Sequence, residues 1–308
     1  MKIGFIMDPL TTIRPQKDTS YILMCAALER AHQVFHILQE DISFHKDHVR
    51  LQGTEVHLPE DISSSLFKCE VKKTFSADEM DVLFVRKDPP FDRRYFYTTL
   101  LLDFVANSVR VVNPPQVLRD WNEKLCALHF LNWVPQTLIS QNLNEITEFI
   151  KEFKTAILKP LDGFGGRGIL KVGSDDSDLK TKILSITEAE SKKIVVNEFI
   201  PEAVHGDKRI LFVDGNPIGG ILRKAKTSGA LNNLDQGGVA HPYQLNSKDI
   251  QICNQLGEKF KELGLFFVGI DLLGDRLTEI NITSPTGLQE LMKFENKSFH
   301  HQVIQALE

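Results

Sequence analysis

The sequence predicts an α/β protein, α+β in part, from two textures and one loop. Up to about residue 113, short apolar strands alternate with helical segments, the βαβ rhythm of a small, mostly parallel sheet with helices on its faces. From Trp121 the strands come mainly in hairpins, around Asp214-Gly215-Asn216 and Gly274-Asp275. Between them lies a glycine-dense segment, Lys159-Pro160-Leu161-Asp162-Gly163-Phe164-Gly165-Gly166-Arg167-Gly168.

Residues 3–7 form the opening strand, short and apolar. The stretch 19–32 carries Tyr21, Met24, Cys25 and Leu28 at helical spacing, with Asp18 as N-cap. A strand follows at 34–38, then two polar edge strands at 49–58 and 66–74. Residues 81–86 are a buried strand, 95–107 a helix, and 110–113 a last strand closed by Pro114-Pro115. The second half predicts helices at 123–131, 143–153, 175–187 and 247–263. Its strands are expected at 134–140, 155–158, 169–172 and 194–199, with Pro201 breaking the chain. Hairpins pair 209–213 with 217–223 and 265–272 with 276–282. The segment 227–241, rich in Gly, Asn and Ser, predicts a mobile loop.

Composition excludes several classes. A chain of 308 residues with 42% apolar and 25% charged residues can build two or three full cores. A net charge of −5 gives no case for a nucleic-acid partner. No apolar run approaches bilayer length, and the apolar stretch before Asp8 is too short for a secretory signal. The cysteines at 25, 69, 126 and 253 form no CxxC pair, which predicts reduced thiols and a cytoplasmic protein. His300-His301 is expected on a solvated helix face.

The glycine loop carries the first chemistry. Gly163, Gly165, Gly166 and Gly168 permit positive φ and close backbone approach, so exposed N–H groups can cradle phosphate beside Lys159. It is neither a Walker A loop nor a GxGxxG helix start, because strands flank it on both sides. A flexible surface hairpin would have the same glycines, and the loop alone does not decide. Asp271, Glu279 and Asn281 form a second constellation. Glu279 and Asn281 share one strand face and Asp271 lies across a short hairpin, so three oxygen donors converge as Mg²⁺ requires. Lys124 offers a second cation for phosphate, and Arg209 and Arg223 on one hairpin suit an anionic substrate. Asp207 can accept from a ribose hydroxyl. The segment Thr283-Ser284-Pro285-Thr286-Gly287 fits either a helix start that binds a small carboxylate or an ordinary N-cap.

Several strings occur together and in order: Arg86-Lys87-Asp88-Pro89-Pro90-Phe91-Asp92, Asn113-Pro114-Pro115, Asn122-Glu123-Lys124-Leu125, Leu158-Lys159-Pro160-Leu161-Asp162-Gly163, Gly206-Asp207-Lys208-Arg209, Val268-Gly269-Ile270-Asp271 and Glu279-Ile280-Asn281-Ile282-Thr283-Ser284-Pro285-Thr286. With them the chain resembles the bacterial glutathione synthetases, ligases of the ATP-grasp fold, over nearly its whole length. The resemblance implies a Rossmann-like domain at 1–120, an ATP-grasp lid with the flap at 121–200, and a C-terminal subdomain with Mg²⁺ site and substrate loop at 201–308. It implies ATP phosphates on Lys124, Lys159 and the glycines, adenine on Asn197-Glu198-Phe199-Ile200, and ribose on Asp207. Asp271, Glu279 and Asn281 would hold Mg²⁺ or Mn²⁺. Arg209 and Arg223 would be catalytic, with Arg86, Ser284, Pro285, Thr286, Asn233, Gly237 and Gly238 on substrate. The implied reaction joins γ-glutamylcysteine to glycine through an acyl phosphate, in a homo-oligomer, dimer or tetramer. The chain departs from the family where Leu231 and Val239 replace arginines in the loop, with Lys224 and Lys226 nearby. Ligation of another γ-glutamyl or amino-acid pair, or nucleotide binding without catalysis, are the alternatives. The intact Asp271, Glu279 and Asn281 set speaks against the last.

Overall fold

The structure, a computed structural model, describes residues 1–308 apart from 64, 164, 227–231, 233, 235 and 236. Three sheets organise it. The first contains β1 (Lys2–Ile6), β2 (Gln33–His45), β3 (His48–His57), β4 (Lys68–Cys69), β5 (Lys73–Ser76), β6 (Val82–Val85) and β7 (Arg110–Val112). Its order is β4-β3-β2-β1-β6-β7, with β5 also on β3. The run β2-β1-β6-β7 is parallel, as the βαβ rhythm requires. The sheet is nevertheless mixed rather than mostly parallel, because β3, β4 and β5 join antiparallel. The stretch expected as a polar edge strand, β3, is interior, with Val49, Leu51 and Val56 fully buried. Its partner β2 runs past residue 38 because pairing resumes at Ile42 after an irregularity following Ile37. The polar residues at that irregularity hide the longer strand from a pattern search.

Helix α1 (Thr19–Glu29) starts where Asp18 accepts a hydrogen bond from the Tyr21 amide at 3.0 Å. Asp92 caps α2 (Arg93–Asp103) in the same way, and α3 (Pro115–Asp120) begins on a proline, whose missing N–H costs nothing in a first turn.

The second sheet, β10-β9-β11-β8, is antiparallel throughout. It comprises β8 (Thr137–Ser140), β9 (Thr155–Pro160), β10 (Leu170–Gly173) and β11 (Ile194–Glu198). Helices α4 (Leu143–Phe153) and α5 (Leu179–Ile186) cover it over a core that includes Ile146, Ile150, Leu158, Ile183 and Val196. The third sheet, order β14-β13-β12-β15-β16, contains β12 (Asp207–Val213), β13 (Asn216–Lys224), β14 (Val239–Tyr243), β15 (Phe267–Leu273) and β16 (Arg276–Asn281). Helices α6 (Ser247–Glu262), α7 (Leu288–Glu295) and α8 (Phe299–Gln305) complete the chain.

Two expectations need correction. The helix expected at 123–131 is only a 3₁₀ segment, Cys126–Phe130. Asn122 Oδ1 accepts from the Lys124 and Leu125 amides as an N-cap does, and the Cys126 amide closes one α-type turn on the Asn122 carbonyl, but the Glu123 carbonyl is taken by the Ile280 amide of β16 and the chain tightens to a 3₁₀ turn. His300 is buried in α8 rather than solvated, while His301 is half-exposed. The four cysteines are unpaired. Among the described residues, no helix is long and apolar enough to cross a membrane.

The first and third sheets share their apolar interior. One cluster joins Leu51 and Leu83 to Phe212, Phe260 and Ile270; another joins Phe5 and Phe84 to Leu211, Phe267 and Val303. The second sheet keeps a core of its own. Buried Asn113, just after β7, ties the first sheet to the third. It donates to the Phe267 and Ile282 carbonyls at 2.9 and 2.7 Å, and accepts from the Phe266 and Phe267 amides at 2.8 and 3.2 Å. Asn113→Ala would strand four buried main-chain groups, each costing about 1–3 kcal/mol when unpaired. We expect a loss of roughly 3 kcal/mol or more in urea unfolding, read as a lower midpoint at constant slope. A midpoint within error of the parent would mean that the staple contributes nothing.

Candidate active site

The site is built on one face of the third sheet. On β12, Asp207 and Arg209 point to the cleft, while Lys208 points the other way and pairs with buried Asp249 of α6 at 2.7 Å. Register sets Arg209 opposite Asp271, Asp271 opposite Glu279, and Asp207 opposite Arg223. Arg209 Nε and Nη2 grip both oxygens of Asp271, the second at 2.9 Å. Arg223 Nε and Nη2 donate to the two oxygens of Asp207, each at 2.7 Å, and Arg223 Nη2 also lies 2.9 Å from Asp271 Oδ2. All four side chains are buried.

Burial alone would raise the Asp271 pKa, but Arg209 and Arg223 outweigh it and hold the carboxyl well below the usual carboxylate range. Arg223 is shifted up: burial opposes its charge, and Asp271 and Asp207 more than restore it. Asn281 Nδ2 stands 3.5 Å from Asp271 Oδ2, and Glu279 is half-exposed beside them. The three expected metal ligands are therefore together on one face. Two carboxylates and an amide oxygen are the hard donors that Mg²⁺ takes. Asp271 already accepts from two arginines, yet a carboxylate has about four lone-pair directions and can accept more.

The second sheet faces these carboxylates. Lys159, near the end of β9, is buried; burial lowers its pKa, Glu279 opposes that, and Lys124 adds to it. Lys124 Nζ lies 3.6 Å from Glu279 Oε1 and donates to the Gly163 carbonyl, bridging β16 to the glycine loop. The flap joins β9 to β10, antiparallel with Leu158 opposite Leu170, as the flanking strands predict. Gly165, Gly166 and Gly168 have φ of 58°, 81° and 74°, which side chains rarely adopt. Gly163 instead needs space: a Cβ there would meet Pro160 Cγ at 2.6 Å. Phe164 lies outside the described residues.

Two cavities flank this cleft. The larger, about 420 Å³, is lined by Glu198, Phe199 and Ile200 together with Leu273 and Arg276 of the β15–β16 hairpin. Asn197 is tied instead to Thr137 Oγ1 at 2.8 Å. The smaller, about 250 Å³, lies between the first sheet and the flap, with Tyr95, Glu123, Lys124 and Gly163 in its wall.

Of the segment 283–287, only Gly287 belongs to a helix start, as the N-cap of α7. Helix α7 begins at Leu288, after Gly287 at φ 105°, and the segment before it is an irregular connector held by side chains. Arg86 Nη2 donates to the Pro285 carbonyl at 3.0 Å, Arg209 Nη1 to the Thr286 carbonyl at 3.2 Å, and Ser284 Oγ to Asp88 at 2.7 Å. Buried Arg86 also donates to Ser20 at 3.0 Å and keeps one nitrogen, Nη1, without a partner; burial lowers its pKa to about 10. In the expected loop, Asn233 and Leu231 lie outside the described residues. Gly237 has φ 88° and bonds back to Leu234 at 3.1 Å, and Gly238 leads into β14. Val239 is a strand residue of β14 opposite Lys224, not part of a loop.

Glu123 was not among the expected site residues. Its Oε1 accepts from the Ile282 and Thr283 amides at 3.0 and 3.1 Å and from Thr283 Oγ1 at 2.8 Å, and its carbonyl accepts from Ile280 at 2.9 Å. This clamps the strand of Glu279 and Asn281 to the segment that presents Lys124. The only signal in the sequence is its position before Lys124, and its partners lie about 160 residues away in the chain.

A cleft between two antiparallel sheets, with lysines and a glycine flap on one side and oxygen ligands on the other, defines an ATP-grasp ligase, an ATP-dependent carboxylate–amine ligase. D-cycloserine synthetase DcsG shares the architecture, with TM-score 0.71 at 15% identity, over 100% of this chain and 98% of that one. The ATP-grasp ligase PsnB, solved with precursor peptide PsnA2 and AMPPNP, aligns at TM-score 0.63 and 16% identity over 99% and 96% of the two chains. The family profiles are more specific. That of the prokaryotic glutathione synthetase N-terminal domain matches residues 1–119, and that of its ATP-grasp domain residues 123–296. The glutathione synthetase of Prochlorococcus marinus is 36% identical over 308 residues, covering 100% of this chain and 99% of the relative. That of Shewanella oneidensis is 38% identical over 296 residues, covering 94% and 93%. The chain belongs to the prokaryotic glutathione synthetase family.

The buried charges generate a pH prediction. The folded Asp271 carboxyl titrates below its unfolded value, so its contribution to stability is present above about pH 4 and is lost as pH falls below that. Asp271→Asn leaves two buried arginines short of a partner and should destabilise by about 3–5 kcal/mol at pH 7. In urea unfolding, the gap between parent and variant should narrow between about pH 4 and pH 3. A gap that stays constant through that range would contradict the assignment.

Proposed function

We propose that the chain uses ATP to join γ-glutamylcysteine to glycine, releasing glutathione, ADP and phosphate. The observation that carries this reading is the opposition of Lys124, Lys159 and the flap to Asp271, Glu279 and Asn281 across one cleft, with Lys124 Nζ 3.6 Å from Glu279. Lys124, Lys159 and the N–H groups around Gly163, Gly165, Gly166 and Gly168 hold the ATP phosphates. Glu198, Phe199 and Ile200, which line the larger cavity, take adenine, with Asn197 behind them. Asp207 shares its carboxylate between Arg223 and a ribose hydroxyl. Asp271, Glu279 and Asn281 hold Mg²⁺ or Mn²⁺, which when bound neutralises charge on the phosphoryl oxygens.

A carboxylate is a poor acylating agent until it acquires a leaving group. The cysteinyl carboxylate attacks the γ-phosphorus, the bond to the β-bridging oxygen breaks, and ADP leaves. The glycine amine then attacks the acyl carbon, phosphate departs, and the nitrogen loses a proton. Arg209 and Arg223 each spend three N–H contacts on neighbouring groups, and an arginine has five N–H groups. The remaining donors can meet the oxyanions that form in these steps. Arg86, Ser284, Pro285 and Thr286 bind the peptide substrate, together with Asn233, Gly237 and Gly238. Closure of the flap keeps water from the acyl phosphate.

The lid would be residues 121–200, between units at 1–120 and 201–308. We place the protein in the cytoplasm as a homo-oligomer. The exposed apolar face of α2, with Phe96, Tyr97, Leu100 and Phe104, supports self-association through that helix.

Purified protein should release ADP only with Mg²⁺ and both substrates present, with glutathione as product. Turnover with another amine and none with glycine would move the assignment to a different acceptor, which Leu231 and Val239 in place of arginines make the leading variant. Nucleotide binding without turnover on any pair would identify a non-catalytic protein. Glu123→Ala should raise the Mg²⁺ concentration for half-maximal rate and lower kcat by about tenfold or more, as loss of groups that support metal ligands does. Its affinity for ATP without Mg²⁺ should change little. Equal loss of both affinities would mean that Glu123 only supports the fold.

A further inference from the structure

The junction of the first and last helices holds a polar cluster that lines neither cavity of the cleft. Glu29 is the last residue of α1, and His300 and His301 lie in the first turn of α8, which packs on α1. Donor atoms of these three side chains lie within 4.8 Å of one another. His301 Nε2 is 3.1 Å from Glu29 Oε2, and the two imidazole rings stand 4.2 Å apart between centroids. Two ligands on one metal with bonds of about 2.0–2.2 Å sit roughly 3.3 Å apart, so the Glu29–His301 pair already has that spacing.

His300 supplies the second observation. It is only 8% exposed, and its Nδ1 is buried with no hydrogen-bond partner. Buried polar groups are almost always satisfied, and a buried ring with an unpartnered nitrogen, whose donor atom lies within 4.8 Å of those of Glu29 and His301, is what a metal ligand looks like without its ion. We propose that Glu29, His300 and His301 form a site for a borderline divalent transition metal, Zn²⁺ or a chemical equivalent, that clips the C-terminal helix to α1.

Two imidazoles and one carboxylate select Zn²⁺, Co²⁺, Ni²⁺ or Cu²⁺ over Mg²⁺, which prefers oxygen. Burial, and to a lesser degree His301, push His300 down to about 4, so the ring is neutral at pH 7, the form that ligates. Glu29 is exposed, leaving water access for the remaining coordination positions. The neighbouring cation, Arg30, donates to Glu308 at 2.9 Å and is paired with it, so its charge is offset near the site. Adjacent histidines on a helix diverge, and His300 must move by about the ångström that separates a loose cluster from a bound one.

The test uses the full-length protein stripped of metal and held in excess Mg²⁺. Calorimetry with Zn²⁺, and the visible spectrum with Co²⁺, should report one ion per chain, accompanied by a higher Tm. Glu29→Gln and His301→Gln, both at accessible positions, should each weaken Zn²⁺ binding about tenfold or more and abolish the Tm shift, and buried His300→Gln should do the same. Absence of one-to-one Zn²⁺ binding would overturn the proposal. So would undiminished affinity in Glu29→Gln and His301→Gln, which would place the ion on other histidines. Neither result bears on ADP release, so the ligase reading stands or falls separately.

Discussion

Arg209 and Arg223 lie side by side on adjacent strands, buried, with like charges. Asp271 and Asp207 make this tolerable. Each guanidinium is matched to a carboxylate through two parallel hydrogen bonds, and Asp271 also touches the second arginine. Replacing such a network by apolar residues is often neutral or stabilising elsewhere, so stability does not explain its presence. Its value here is position. Asp271 is held ionised with its oxygens fixed, and Glu279 and Asn281 stand beside it on the neighbouring strand.

The cleft depends on that fixed wall because its other wall is built differently. The first and third sheets share apolar clusters and the Asn113 staple, so they behave as one body. The second sheet has a separate core, and its links to the rest near the cleft include polar ones: Lys124 to the Gly163 carbonyl, and Asn122 to the Leu161 carbonyl at 3.1 Å. Polar contacts of this kind exchange readily with those of a ligand, whereas a shared apolar core does not open without exposing surface.

Glu123 ties β16 to the segment that presents Lys124. Burial pushes its carboxyl pKa up, against the pull of the Thr283 bonds, and the carboxylate accepts from three donors just past the end of β16. Lys124 comes next in the chain, so the clamp on β16 also sets the lysine that reaches the flap.

Much of this was legible in the residues. Period-two spacing placed Glu279 with Asn281, and the hairpin brought Asp271 opposite, because side chains alternate along a strand whatever the fold around it. Strands on both sides of the glycines identified a hairpin turn rather than a loop that opens a helix. The capped start of α1 and the bounds of α4 follow from local rules of the same kind. Tertiary structure decided the remainder, because it depends on partners distant in sequence. The interior place of β3, the 3₁₀ turn at 126–130 and the connector at 283–287 were set by competing hydrogen bonds that no local pattern records. The pairing of Asp207 with Arg223, the clamp made by Glu123 and the burial of His300 came from long-range packing. Local periodicity determined which residues share a face; only the folded chain determined what that face meets, since a buried charge takes its partner from whichever strand the topology brings beside it.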